Sequence, residues 1–239
     1  MIKLKGIFPF CLGILLMLTS CDPIENSFTM DSYQLNIFTV GSNNSLKPEL
    51  KDTLLYANNF RDFDLKPGDR ACLYLYSHQD AYNPKNSFLR IEELIEKIPT
   101  LHIEERNSID ESVYNLPLSV TPYFYEPSIW IWNNILNINA LFATEKESAE
   151  FAMELRGIQE DFVELNLLAK STAEPESPPT SSKLLSYDLN NIEKLFTDEE
   201  KETLKDYEKL RFRIHLKKNA SEWDVKYVSL GEFINPLYN

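Results

Sequence analysis

The stretch RFRIHLK, Arg211–Lys217, alternates basic side chains with apolar ones over seven residues. Successive side chains of a β-strand point to opposite faces of a sheet, so this alternation predicts a strand with one apolar and one charged face. The residues KNAS, 218–221, separate it from a second strand candidate at 223–230, which predicts a hairpin near the end of the chain. The same period of two dominates the rest of the sequence.

Further strands are predicted at 33–37, 53–56, 70–77, 88–91, 101–104, 136–142, 151–155, 162–170 and 183–189. Because most of them carry one polar face, antiparallel pairing is expected.

Two segments favour helix. The apolar residues of 91–98 recur at helical spacing, although a strand that continues from Phe88 is the alternative. The segment 197–208 begins with a capping box formed by Thr197 and Glu200.

The chain has 239 residues, of which 43% are hydrophobic and 26% charged, an ordinary globular composition for one or two domains. Residues 31–108 contain four or five strand candidates, which suits a small OB-like barrel. Residues 109–239 contain six or seven, enough for a β-sandwich. The polar stretch EERNSIDE, 104–111, marks the boundary. The predicted fold class is mainly β, with an OB-like barrel followed by an antiparallel β-sandwich.

The N-terminus has the pattern of an exported protein. Residues 1–20 combine two lysines with an apolar stretch too short to span a bilayer as a mature helix, which is typical of a signal peptide. The ending LTSC, 18–21, resembles the lipobox of bacterial lipoproteins, which implies cleavage after Ser20 and a lipid on Cys21. The alternatives are an ordinary secretory signal and an uncleaved anchor. Residues 21–30 would form a tether, and the expected location is the cell envelope, at the outer membrane.

Charge and cysteine content limit the partners. Without residues 1–20 the chain carries 22 basic and 37 acidic residues, a net charge of −15. This charge disfavours nucleic acid and anionic lipid surfaces, so we expect no nucleic-acid partner and a membrane contact made by the lipid on Cys21. Cys72 is then the single remaining thiol, which excludes an intramolecular disulfide and predicts a small buried side chain.

The order of these features resembles the NigD-like lipoproteins of Bacteroidetes. The resemblance rests on the lipoprotein signal, on SYQLNIFTV (32–40), LKPGDRACLYLY (65–76) and FLRIEELIEKI (88–98), and on the two C-terminal strands joined by a hairpin. It implies an N-terminal OB-type barrel followed by a β-sandwich, and it implies no catalytic residues. The Pro-rich stretch 171–183 and the acidic segment 198–208 depart from the family pattern.

The sequence contains no recognisable catalytic or metal-binding motif. Its three histidines lie far from one another and from the cysteines, and the nucleophile-elbow, P-loop and HExxH patterns are missing. We therefore expect no metal, no cofactor and no enzyme activity. His78 and Asp80 could form a dyad, and a pair of distant carboxylates, as in a glycan hydrolase, is the enzymatic alternative.

The segment PSIWIWNN, 127–134, is the main candidate for ligand binding. On a strand, Trp130 and Trp132 would project from one face, where two indoles flanked by asparagines could stack on sugar rings. The alternative is that both indoles fill the core. In either arrangement one apolar pair should meet a second layer, a partner or a ligand, because both faces of this strand are apolar. Tyr74 and Tyr76 form a similar pair with the same two interpretations.

Asp52-Thr53-Leu54 resembles the O-glycosylation pattern of exported Bacteroidetes proteins, so Thr53 is a candidate modification site. Together these features predict a lipid-anchored envelope protein that acts as a non-enzymatic binding or interaction module. Its ligand would be a glycan, a peptide or another envelope protein. The alternatives are a structural accessory subunit of an outer-membrane uptake or assembly complex, and a carboxylate-based glycan hydrolase.

Overall fold

The computed structural model describes residues 29–230 except 50, 52, 125–126, 145–147, 173–180, 205–209 and 220. Within this part the chain forms three β-sheets and one short α-helix, so the mainly β fold class is confirmed. The predicted signal peptide, Cys21 and residues 21–28 of the tether lie outside the described residues. The described helices include none long and apolar enough to cross a membrane.

The first sheet is antiparallel and contains five strands. They are β1 (Thr29–Val40), β2 (Ser45–Pro48), β3 (Leu55–Tyr56), β4 (Arg70–Asp80) and β5 (Phe88–Lys97), in the order β3-β2-β1-β4-β5. The inner sides of these strands enclose an apolar core, to which the connection after β3 adds Phe60 and Leu65. The first sheet therefore has a core of its own.

The predicted OB-like barrel is not closed. Among the described residues no ladder joins β3 to β5, because β3 is only two residues long. Asn58 and Asn59, which follow β3, connect this end of the sheet to β5 instead. The Asn58 amide donates to the carbonyl of Leu89 at 2.8 Å. The Asn59 side chain donates to the carbonyl of Ile91 and accepts from its amide, both at 2.8 Å.

The helix predicted at 91–98 is wrong, because residues 91–97 form the second half of β5. Two shifts in register against β4 leave Glu92 and Ile95 as extra residues in β5. Each β-bulge inserts one residue into a strand. The inward-facing Ile91 and Leu94 are therefore three residues apart instead of two, which imitates the spacing of a helix. The strand alternative was the correct one.

The remaining strands form a sandwich of two sheets around one apolar core. They are β6 (Thr100–Leu101), β7 (Leu118–Val120), β8 (Ile129–Trp132), β9 (Ile135–Phe142), β10 (Ala149–Gln159), β11 (Phe162–Ser171), β12 (Ser181–Asp188), β13 (Arg211–Lys217) and β14 (Trp223–Ser229). One sheet has the order β10-β11-β13-β14. The other has the order β6-β12-β9-β7, and β8 also pairs with β9.

The expectation of antiparallel pairing is wrong for two strand pairs. β13 runs parallel to β11, and β6 runs parallel to β12. Parallel neighbours need a long crossover connection, which a hairpin cannot supply. The chain between β11 and β13 makes such a crossover, because it passes through β12 in the other sheet and then through helix α1 (Asp198–Thr203).

The capping box predicted for this helix is confirmed. The Glu200 amide donates to Thr197 Oγ1 at 3.3 Å, and the Thr197 amide donates to Glu200 Oε2 at 2.9 Å. The other carboxylate oxygen of Glu200 lies 2.5 Å from Arg106 Nη2, so the helix start is also tied to the segment before β7. Residues 205–208, where the helix was expected to continue, lie outside the described residues.

The chain passes from the first sheet to the sandwich between β5 and β6, because β6 already pairs with β12. The stretch 104–111 begins at the edge of β10, where the Leu155 amide donates to the carbonyl of Glu104 at 3.0 Å. Glu104 forms a bridge with Glu154, whose carboxylate accepts from the amide of Ile109 at 3.1 Å. The division at 108/109 stays a prediction.

One small apolar cluster joins the first sheet to the sandwich, and we call it the junction. It contains Ile37, Cys72, Ile98, Tyr123, Trp130 and Leu184. Cys72 is fully buried there, as predicted, and burial raises the pKa of its thiol. The Tyr123 hydroxyl, close to the same cluster, donates to Glu96 at 2.9 Å.

Candidate binding surface

Strand β8, which carries both candidate indoles, is covered on its two faces. Trp130 is 5% exposed and packs in the junction, while Ile129 and Ile131 pack against the sandwich core. The prediction that one apolar pair would meet a second layer is therefore confirmed. The sugar-stacking role is wrong for Trp130, because the first sheet covers its ring. Trp132 is half-buried against the same cluster, with the Lys47 ammonium 5.9 Å from its ring centre.

A buried polar network accompanies the junction. Glu49 and Arg70, which are 1% and 6% exposed, form an ion pair in which Arg70 Nε donates to Glu49 Oε1 at 3.0 Å. Trp130 Nε1 donates to the other carboxylate oxygen at 3.1 Å. Asn137 Oδ1 accepts from Arg70 Nη2 at 2.9 Å and from the Ser186 hydroxyl at 2.8 Å. Glu49 and Arg70 belong to the first part of the chain, and the other groups belong to the sandwich. The network therefore fixes how the first sheet packs on the sandwich.

The outer face of the first sheet continues beyond the junction into solvent. There the outward-pointing positions of β1, β4 and β5 carry mostly aromatic side chains. They are Tyr33, Tyr74, Tyr76, His78, Phe88 and Arg90, and we call them the aromatic face. Tyr33, which lies at the centre of this face, is 59% exposed. Of the two interpretations of the Tyr74 and Tyr76 pair, the structure therefore favours a surface.

The strand register brings these rings together. Tyr33 lies directly opposite Tyr76, and His78 lies opposite Phe88. Side chains directly opposite on neighbouring strands are close enough to contact each other. Ring centres are 5.4 Å apart for Tyr74 and Tyr33, 5.1 Å for Tyr33 and Tyr76, 5.8 Å for Tyr76 and Phe88, and 5.4 Å for Phe88 and His78. The rings thus form a continuous run across three strands.

Charged groups at the rim of the aromatic face are paired. Asp31 Oδ1 accepts from the Tyr76 hydroxyl at 3.0 Å and lies 2.8 Å from His78 Nδ1. The hydrogen bond with His78 is the main reason why the pKa of Asp31 is lowered. The Arg90 guanidinium lies 5.0 Å from the centre of the Tyr76 ring and pairs with Glu92. The rim is therefore polar, and its carboxylates and guanidinium make local hydrogen bonds.

The predicted dyad of His78 and Asp80 is wrong. His78 faces Asp31, whereas the carboxylate of Asp80 accepts from the amides of Tyr82 and Asn83 at 2.9 and 2.8 Å. Asp80 is the last residue of β4, so its side chain serves the turn that follows. Hydrogen bonds from this turn are the main reason why the pKa of Asp80 is lowered.

A cleft of about 620 Å³ opens at one end of the sandwich, beside Tyr114, Lys217 and Asn219. Its polar groups already have protein partners. Lys217 donates to the carbonyl of Glu111 at 2.6 Å, and Asn219 Oδ1 accepts from the amide of Glu222 at 2.9 Å. This cleft is therefore a weaker candidate than the aromatic face.

Two other predictions concern single sites. Thr53 is exposed in the connection between β2 and β3, where a modifying enzyme could reach it, while Asp52 lies outside the described residues. O-glycosylation of Thr53 stays a prediction. Within the described ranges no group of three or more His, Cys, Asp or Glu side chains could hold a metal ion.

No family model matches the chain, and no curated protein matches it. It is similar to several solved structures. A protein from Bacteroides fragilis provisionally described as a lipoprotein matches with a TM-score of 0.60 and 14% identity, over 83% of this chain and 98% of its own. The chain shares the fold of these proteins.

Two further structures extend the comparison. A protein from Parabacteroides distasonis provisionally described as toxin-related matches with a TM-score of 0.57 and 15% identity, over 83% of this chain and 93% of its own. A Bacteroides vulgatus protein of unknown function has a TM-score of 0.56 and 13% identity, over 86% and 97%. Because these matches span most of both chains, the likeness extends over the first sheet and the sandwich together.

Proposed function

We propose that the chain is a NigD-like lipoprotein of the cell envelope, held at the outer membrane by a lipid on Cys21, and that it acts as a non-enzymatic binding module. The lipobox pattern and the lipoprotein description of the Bacteroides fragilis neighbour support the anchor. The observation that carries the binding role is the aromatic face. The described part of the chain offers no comparable run of contacting rings elsewhere.

The aromatic face has the composition of a recognition surface. Tyrosine and arginine are enriched among the residues that contribute most to binding energy in protein interfaces. Exposed apolar clusters are uncommon on monomers and mark sites of interaction. The rings also stand on hydrogen-bonded strands and against one another, so little side-chain freedom would be lost when a ligand binds.

The test uses the full-length lipoprotein and a matched pair of variants. Tyr33 and Tyr227 are 59% and 60% exposed, but Tyr227 lies on β14, away from the aromatic face. Binding to a detergent-solubilised outer-membrane preparation and to a panel of polysaccharides is measured for Tyr33→Ala and Tyr227→Ala. We expect Tyr33→Ala to weaken binding about tenfold or more, as for a residue that dominates an interface, while Tyr227→Ala binds like the unchanged protein.

Equal binding by both variants would show that the aromatic face is not the site. The accessory-subunit alternative uses the same face, since a partner subunit would cover it. A single protein that is retained by the unchanged chain and lost with Tyr33→Ala would favour that alternative. The hydrolase alternative has no support from the cleft, where the one lining carboxylate, Glu111, accepts from Asn166 at 2.8 Å.

A further inference from the structure

We infer that the aromatic face binds a neutral, linear oligosaccharide, with successive sugar units lying on rings from adjacent strands. This inference rests on the proposed binding function of the face and names its ligand class. Three rings set the direction of the site: Tyr33 on β1, Tyr76 on β4 and Phe88 on β5.

The spacing of these rings fits a sugar chain. Ring centres are 5.1 Å apart for Tyr33 and Tyr76 and 5.8 Å apart for Tyr76 and Phe88, comparable to the length of one pyranose unit in an extended glycan. Adjacent strands are separated by a similar distance, about 4.8 Å, so one ring per strand produces this repeat. Three consecutive sugars could therefore each meet one ring.

Tyr33, which is 59% exposed, leaves part of its ring open for stacking. Tyr33 and Tyr74 are nearly parallel, with an interplanar angle of 13° and ring centres 5.4 Å apart. Carbon atoms in contact lie about 3.5–4.0 Å apart, so two parallel rings at this separation must be displaced sideways by about 4 Å. Part of each ring face is thus uncovered. The C–H groups of a pyranose ring can pack there against the negative π-face.

The rim supplies hydrogen-bonding groups, with more carboxylates, from Asp31, Glu92 and Glu93, than the one guanidinium of Arg90. The Asp31 carboxylate and the Arg90 guanidinium are 56% and 50% exposed, at two sides of the ring run. The Asp31 carboxylate pairs with His78, and the Arg90 guanidinium pairs with Glu92. They can therefore bond to sugar hydroxyl groups but give little attraction for an acidic ligand. The chain's net charge of −13 further disfavours an acidic polysaccharide.

A protein ligand fits this surface less well. An extended peptide binds a sheet by adding to its edge, whereas these rings lie on the face, and Asn58 and Asn59 already bond to the edge strand β5 at Leu89 and Ile91. A folded partner typically covers about 800 Å² on each side, and the sandwich already occupies one end of this sheet face. A narrow, extended ligand would contact only the exposed rings and therefore fits the remaining area.

The experiment is isothermal titration calorimetry on the full-length lipoprotein in detergent. The probes are β-1,4-linked hexaoses of glucose, mannose and xylose, their mono- and trisaccharides, and an acidic hexamer of galacturonate. We expect a neutral hexaose to bind, the affinity to rise from one to three sugar units, and the galacturonate hexamer to bind more weakly. Tyr33→Ala and Phe88→Ala should each weaken binding about tenfold, and Tyr227→Ala should leave it unchanged.

The outcomes separate the two proposals. If no neutral hexaose binds, or the acidic hexamer binds best, the glycan inference is overturned. Loss of outer-membrane binding in Tyr33→Ala would then still support the binding function. If Tyr33→Ala binds every probe and the outer-membrane preparation as the unchanged protein does, both proposals fail. Affinity that does not depend on length between one and three units would contradict the one-ring-per-sugar arrangement.

Discussion

Glu49 and Arg70 are charged residues that the fold buries almost completely. Nothing in the sequence pairs them, because they are 21 residues apart, and Asn137, which completes the network, is 67 residues from Arg70. Local patterns predict that Arg70 begins a strand, but the packing of one sheet on another brings the three side chains together. The same limit left two interpretations open for Trp130, since Glu49, which accepts from its indole N–H, is 81 residues away in the chain.

Removing one partner of this ion pair should destabilise the protein strongly. Glu49→Gln leaves the Arg70 guanidinium buried without a counter-charge, and such changes cost about 3–5 kcal/mol. Urea denaturation of the purified protein measures the loss. The control is Glu92→Gln, which removes a carboxylate from the surface pair with Arg90 and should cost about 0–1 kcal/mol. Similar values for the two variants would show that the buried pair contributes no more than an exposed one.

At the level of strands and turns, the sequence was most informative where alternation is regular. β9, β11, β13 and β14 were predicted within a few residues of their observed bounds. β5 was partly misassigned because its two bulges change the period of its apolar residues. Local sequence patterns do not show which strands pair with each other. The open side of the first sheet depends on how short β3 is, which alternation does not reveal.

The bulge in β10 gives a prediction for one glycine. Gly157 has a φ of 145°, and a Cβ built there would lie 3.1 Å from Arg106 Nη2 and 3.2 Å from Glu200 Oε1. Gly157→Ala should therefore cost about 2–3 kcal/mol, since the strained backbone and the crowded Arg106–Glu200 pair both oppose it. The measurement is the free energy of unfolding in urea.

Gly68 supplies the control for backbone strain alone. Its φ is 94°, and a Cβ there would have nothing within 4 Å. Gly68→Ala should cost about 1 kcal/mol, the lower end of the range for a strained backbone. A Gly68→Ala variant that is as unstable as Gly157→Ala would mean that the contact with Arg106 and Glu200 adds nothing.

On the scale of the whole molecule, the order of a β-rich first part and a sandwich was predictable from the number and spacing of strand candidates. How the two parts meet was not. The junction combines residues from β1, β4, β8 and β12, and no one of these segments shows by itself that it faces another sheet. The aromatic face was equally hidden, because Tyr33 and Tyr76 become neighbours only through the register of β1 with β4.

The proposed anchor makes a prediction for the whole protein in its cell. Cys21→Ser removes the site of lipid attachment, and each methylene buried in the membrane contributes about 0.8 kcal/mol to anchoring. Most of the variant should therefore move from the membrane pellet to the soluble fraction, as measured by immunoblotting. Cys11→Ser is the control, because Cys11 lies in the predicted signal peptide and would leave with it. A Cys21→Ser protein that stays in the washed membrane pellet would contradict the lipid anchor.

The long pairing of β1 with β4 also has a mechanical consequence. Eleven register pairs join the two strands, from Thr29 opposite Asp80 to Thr39 opposite Arg70. An anchor at Cys21 would pull on β1 from its N-terminal end, and a ligand on the aromatic face would pull on β1, β4 and β5. Tension between membrane and ligand would thus enter β1 at its N-terminal end and pass to β4 and β5 beside the aromatic face, without crossing the sandwich.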